Sequence, residues 1–138
     1  MVRVWRWRPT RDSGPGRMAA RTISPCPRSS NTTFDCADPG PLSAFWSEVT
    51  GYQQVTVRDD FAALAAPDGR GIRGILFQKV PEPKSTKSRI HVDLASRDPE
   101  HEIERLVGLG ARPVARHEGN GTSWTVMLDP AGNEFCIG

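Results

Sequence analysis

Cysteines are few in this sequence, and long apolar runs are absent. Cys26, Cys36 and Cys136 form an odd number with neither CxxC nor zinc-site spacing, which excludes a disulfide scaffold. They are expected as free thiols, which points to a reducing cytoplasm. No window approaches the ~18 consecutive apolar residues of a membrane helix, so a membrane-spanning protein is not expected. The apolar stretch of ~7–15 residues that a secretory signal requires is missing as well. With 138 residues, 37% of them hydrophobic and 25% charged, the chain has the composition of one ordinary globular domain.

The formal charge of +2 hides an asymmetry. Residues 1–30 hold seven arginines against the single acid Asp12, a net +6, whereas residues 31–138 hold 11 basic and 15 acidic side chains, a net −4. A nucleic-acid footprint on the folded part is therefore not expected. The first thirty residues are rich in Arg, Pro, Gly and Ser and have no period of 2 or 3.6, so a disordered basic extension is predicted there. Trp5 and Trp7 between arginines would suit an arm that touches an acidic surface. A transit peptide fits the same composition, as does a plain extension with Met18 as the start, and the last is favoured.

What is there, from residue 31 onward, is a regular pattern that occurs twice. "NTTFDCA" (31–37) alternates like a half-buried strand. Asp38-Pro39 reads as a helix N-cap with proline at the first helical position. Leu42, Phe45, Trp46 and Val49 follow at helical spacing, and Gly51 stops the helix. Strands are predicted at 53–58, 61–66 and 72–80, with the turn "PDGRG" between the last two, before the polar linker "PEPKSTKS" (81–88). The pattern then restarts with a strand over 88–95, "SRIHVDLA". Asp98-Pro99 opens a second helix that buries Ile103, Leu106 and Val107 and ends at Gly110. Strands follow at 112–118, 123–128 and 133–137, with the turn "DPAGN" before the last.

Asn31 precedes Asp38 by seven residues, as His91 precedes Asp98, and the two helix starts lie 60 residues apart. This is an internal duplication of a β-α-β-β-β unit, with module one at 31–80 and module two at 89–138. A sheet with one helix across one face leaves its other face bare, so two such units are expected to curl their free faces around a shared cleft. Alternation sorts the side chains. Phe34, Cys36, Ile90, Val92, Leu94, Phe135 and Ile137 should face the helices. Asn31, Thr33, Asp35, Arg89, His91, Asp93, Glu134 and Cys136 should face the cleft.

The segments "FDCADPGPLSAFWSEVTGY", "RIHVDL" and "DPAGNEFCI" give the chain a resemblance to the vicinal oxygen chelate superfamily. That superfamily groups glyoxalase I, bleomycin-resistance proteins, fosfomycin-resistance enzymes and extradiol dioxygenases. The resemblance spans residues 31–138 and implies an α+β fold of two tandem βαβββ modules, a curled mixed sheet around a central cleft. It also implies four ligand positions for one divalent transition metal, with Zn, Ni, Fe, Co and Mn as candidates. In this chain those positions hold Asn31, Leu76, His91 and Glu134, so two of the four expected ligands are missing. Asp35 and Asp93 are the nearest substitutes on the same strand faces.

Two function classes follow from the resemblance. One is a glyoxalase-like protein that binds a small polar organic molecule in the cleft, its metal site incomplete. The other is a metal-dependent lyase, isomerase or dioxygenase-type enzyme acting on a small oxygenated metabolite, with a carboxylate, Glu134 or else Asp35, moving a proton as the catalytic group. The first is favoured because the ligand set is incomplete. A homodimer is compatible with the resemblance, and no nucleic-acid or membrane partner is expected.

Each candidate residue has a structural reading beside the functional one. His91 is either a metal ligand or a hydrogen-bonded wall residue. Glu134 is either a ligand or a carboxylate bonded to Arg89 or His91. Asn31 is a ligand-binding candidate, and Asp35, Gln78, Arg89 and Asp93 are either ligand-binding groups or a self-satisfied ion-pair network, with Arg89 suited to a carboxylate. Trp124 either stacks on a ligand or packs in the core. Cys136 has no activating base beside it in the sequence. His101 and His117 are expected to be exposed. The stretch 116–124 is either a lid over the cleft or a plain hairpin, and the hairpin is favoured.

Overall fold

The computed structural model describes residues 31–67, 74–119 and 121–138. The basic extension, Cys26 and nearly all of the "PDGRG" turn lie outside the described residues. Module one comprises β1 (Asn31–Cys36), α1 (Pro39–Thr50), β2 (Gln53–Val57), β3 (Phe61–Ala65) and β4 (Gly74–Lys79). Module two comprises β5 (Val92–Leu94), α2 (Pro99–Gly108), β6 (Arg112–Gly119), β7 (Thr122–Leu128) and β8 (Glu134–Ile137). The fold is α+β, two βαβββ units in tandem. Each unit forms its own four-stranded mixed sheet, ordered β1-β4-β3-β2 and β5-β8-β7-β6, and no strand pairing joins the two among the described residues. The sequence implied one curled sheet, whereas the molecule has two that are not closed into one.

The helix signals act as their chemistry requires. Asp38 and Asp98 occupy the two N-cap positions with proline just inside each helix, but only the Asp98 side chain caps, accepting from the His101 amide at 3.2 Å. Gly51 closes α1 in the left-handed conformation at φ 71°, and its amide donates to the Ser47 carbonyl. Gly110, at φ 105°, follows the end of α2. Both positions need glycine because a Cβ there meets the following carbonyl.

The face of α1 that bears Leu42, Phe45 and Trp46 packs onto β2, β3 and β4, and Trp46 is fully buried. α2 contributes Leu106, also fully buried, while Ile103 is half-buried and Val107 is exposed. The two modules share one core. Phe135 of β8 packs edge-on against Trp46 at 5.4 Å between ring centroids and against Phe45 at 6.4 Å. Phe34 lies between Trp46, at 5.1 Å, and Phe77, at 5.8 Å. Such offset and edge-on pairs add to the burial that holds the modules together.

The predicted parity holds for β1 and β8 but fails at one position. Cys36, Phe135 and Ile137 are buried and Phe34, Val92 and Leu94 are half-buried, whereas Ile90 is 82% exposed. The reason is that β5 is only three residues long. It pairs in parallel with Phe135–Ile137, and β8 begins at Glu134, so residues 88–91 have no ladder partner. The Ser88 amide instead donates to the Glu134 side chain, which ties the segment down without making it a strand.

Candidate functional site

Two hollows flank the opening of module two, and His91 belongs to both. The first is a groove of ≈ 530 Å³ walled by β1 on one side and by Ser88, Ile90, His91, Val92 and Glu134 on the other. Asn31, Thr33 and Asp35 are its exposed residues from β1, because alternation turns them away from the α1 core. The second, also of ≈ 530 Å³, lies on the face of module two's sheet that α2 does not cover, with Asp93, Trp124 and Cys136 along its wall.

Asn31 sits at the head of β1 opposite Gly74, the register partner on β4. A Cβ at Gly74 would come within 2.5 Å of Asn31 Oδ1, so the glycine makes room for this amide. Asp35 pairs with Gln78 across the same ladder, and both are exposed. Gln78 turns outward and donates to the carbonyls of Asp60 and Lys79 at 3.4 Å each, and it lines neither hollow. Arg89, exposed on the unpaired segment, lines neither as well.

Glu134 is bound differently from either partner expected of it. Its Oε1 accepts from Lys84 Nζ at 3.1 Å and its Oε2 from the Ser88 amide at 3.0 Å, with Lys84 also 3.1 Å from Oε2. Burial pushes the carboxyl upward, but the Ser88 amide and the Lys84 ammonium outweigh it and bring the pKa down to about 2. Lys84 and Ser88 come from the linker "PEPKSTKS". A lysine in an aperiodic linker gives no sequence signal for this role.

His91 faces Asp93 instead, with Nε2 3.2 Å from Oδ1. The parallel register sets Asp93 beside Cys136. His91, Asp93 and Cys136 thus offer a ring nitrogen, a carboxylate oxygen and a sulfur that all lie within 4.8 Å of one another. Burial, and then the neighbouring Asp93 carboxylate, push the Cys136 thiol up. An isolated thiol so placed is a poor nucleophile at neutral pH. Cys36, buried at the end of β1, is raised by burial too. Both thiols are free.

Trp124 is half-buried, lies along the second hollow and stacks on exposed His117 at 5.6 Å with 23° between the rings. His101 is exposed, as expected. The stretch 116–124 belongs to a hairpin whose β6–β7 ladder reaches Gly119 and Thr122, the plainer of the two readings. No helix among the described residues is long and apolar enough to cross a membrane.

The comparisons agree with this architecture. Among curated proteins, none matches the chain. Among solved structures, a glyoxalase/bleomycin resistance protein/dioxygenase family enzyme from Burkholderia phytofirmans PsJN is 20% identical, covers 78% of this chain and 94% of its own, and superposes with a TM-score of 0.64. A fosfomycin resistance protein from Listeria monocytogenes, bound to Mn(II) and 1S,2S-dihydroxypropylphosphonic acid, is 11% identical, covers 79% and 86%, and scores 0.63. The bleomycin-binding protein of Streptomyces verticillus, in complex with copper(II)-bleomycin, is 16% identical, covers 79% and 93%, and scores 0.54. At these identities the likeness is one of fold. The family model for the glyoxalase-like domain matches residues 31–138, which is the whole of both modules, and the chain therefore belongs to the glyoxalase-like family of the vicinal oxygen chelate superfamily.

Proposed function

We propose that this protein binds a small polar organic molecule in the groove between its two modules. The observation that carries the reading is the lining of that groove. Asn31, Thr33 and Asp35 line it on one side and His91 on the other, together with the ion-paired Glu134 and Lys84. Hydroxyl, amide, carboxylate and imidazole groups on two facing walls can orient a ligand that has both donors and acceptors. The bleomycin-binding neighbour, which holds an organic molecule, is in line with such a role. Free buried thiols and the −4 charge of residues 31–138 suit a cytoplasmic protein without a nucleic-acid partner.

The alternative, a metal-dependent lyase, isomerase or dioxygenase-type enzyme, would use a divalent ion at the four positions that the resemblance implies. Those residues do not fit one. Leu76 has no donor atom, Asn31 offers a weakly basic amide, and both oxygens of Glu134 already accept hydrogen bonds from Lys84 and Ser88. Glu134 is also a weak base at neutral pH, since its pKa is about 2.

The test is amide chemical-shift mapping of the full chain with a probe set of small hydroxy acids, amides and diols. Shifts are expected to cluster on Thr32–Asp35 and Ser88–Val92, and to weaken in Asn31→Leu. Shifts that cluster elsewhere, or no binder in the set, would overturn the assignment of the groove.

A further inference from the structure

The second hollow holds two donors, Asp93 and Cys136, that the groove does not use, and it shares His91 with the groove. We propose that His91, Asp93 and Cys136 form a zinc-class divalent-metal site on the open face of module two's sheet, which keeps His91 from the positions that the resemblance implies and adds Asp93 and Cys136, each two residues further along the chain than His91 and Glu134.

The parallel pairing of β5 with β8 makes Asp93 and Cys136 register partners, so their side chains stand together on the face away from the core. His91 precedes β5, and its side chain reaches the same hollow beside Asp93. Its Nε2 lies 3.2 Å from Asp93 Oδ1, and the three donor atoms fall within 4.8 Å of one another. Metal–ligand bonds of about 2.0–2.3 Å put the ligands of a tetrahedral zinc about 3.3–3.8 Å apart, so small rotamer shifts would bring this set to a common centre. One imidazole, one carboxylate and one thiolate make a borderline-soft set, which favours Zn(II) and Co(II) over Mg(II) or Ca(II).

The surroundings match a site with an open position. Cys136 is buried at 8% exposure, whereas the His91 and Asp93 side chains are 39% and 77% exposed, so the ion would be anchored on one side and reachable from the other. Three protein ligands leave a fourth position for water or a small ligand, facing the hollow beside Trp124. Glu134 takes no part, because its oxygens are engaged by Lys84 and Ser88. The site goes beyond the organic-ligand reading of the groove and does not depend on it.

The experiment is Co(II) titration of the reduced, tag-free full chain, followed by absorption. One equivalent is expected to produce a thiolate-to-cobalt charge-transfer band in the near ultraviolet. Cys136→Ser should abolish the band, and Cys36→Ser should leave it unchanged. His91→Ala and Asp93→Asn should retain a folded circular dichroism spectrum and weaken Co(II) binding by at least the roughly 10–100-fold that outer-shell changes cost in known sites. Glu134→Gln should bind like the parent chain. No thiolate band in the parent, a band that survives in Cys136→Ser, or one lost in Glu134→Gln with His91→Ala unaffected would each overturn the site. Should Cys136→Ser fail to fold, the His91→Ala and Asp93→Asn affinities decide the matter alone.

Discussion

Trp46 Nε1 donates a 3.0 Å hydrogen bond to Asp129 Oδ2, joining α1 of module one to the β7–β8 turn of module two across 83 residues of sequence. Both residues are buried. The other oxygen, Oδ1, accepts from the amides of Ala131 and Asn133 at 2.9 Å each, and the Asn133 side chain donates to both oxygens. A buried carboxylate is tolerated here because its lone pairs are all used. One side chain therefore shapes the "DPAGN" turn and locks the two modules to each other.

Asp129→Ala should be among the most damaging single changes outside the aromatic core. It leaves the Trp46 indole and three turn donors without an acceptor, at a cost of about 2–4 kcal/mol. Trp46→Phe loses one of those bonds and some packing, and should cost about 1–3 kcal/mol while the turn keeps its own bonds. Urea unfolding of the two variants checks the order. Equal stability of Asp129→Ala and the parent would refute the role given to the bond.

The Glu134 ion pair predicts a pH dependence with a definite sign. The folded-state carboxyl is held at about 2, below its ordinary 4.5, so folding favours the charged form. The stabilisation is fully present above pH about 4.5 and is lost as the pH falls toward about 2. Glu134→Gln should lower stability at neutral pH and flatten the fall between pH about 5 and about 2. Unfolding midpoints of the parent and the variant across that range are the measurement. Parallel curves would mean that Lys84 and Ser88 do not hold the carboxylate in solution.

Gly74 and Asn31 couple the fold to the groove. A methyl group at residue 74 would meet Asn31 Oδ1 at 2.5 Å and the Leu64 carbonyl oxygen at 3.2 Å. The amide can swing away cheaply, but the backbone carbonyl yields less. Gly74→Ala is expected to cost only about 1 kcal/mol in unfolding while displacing Asn31 from the groove wall. Probes that bind the parent should bind this variant measurably more weakly, read by the same amide-shift titration. Unchanged binding would remove Asn31 from the ligand-binding set.

The duplication, the α+β class and the helix boundaries were legible in the sequence because they rest on local chemistry. Asp-Pro at each helix start, Gly51 and Gly110 at the ends, and alternation in β1 and β8 are set by neighbours a few residues apart. The groove residues Asn31 and Asp35 were legible for the same reason, since parity in β1 names the outward face before any packing is known.

The partners of those residues were decided by the tertiary structure alone. Glu134 pairs with Lys84 because the linker folds back over the start of β8, and no periodic pattern records where a polar linker lands. Cys136 lies beside Asp93 because a parallel register places residues 43 apart side by side, although neither stands in a spacing motif. Trp46 finds Asp129 only once the modules meet through their shared core. Local free-energy preferences fix which face a side chain takes, but the group it meets there depends on where a distant segment comes to rest.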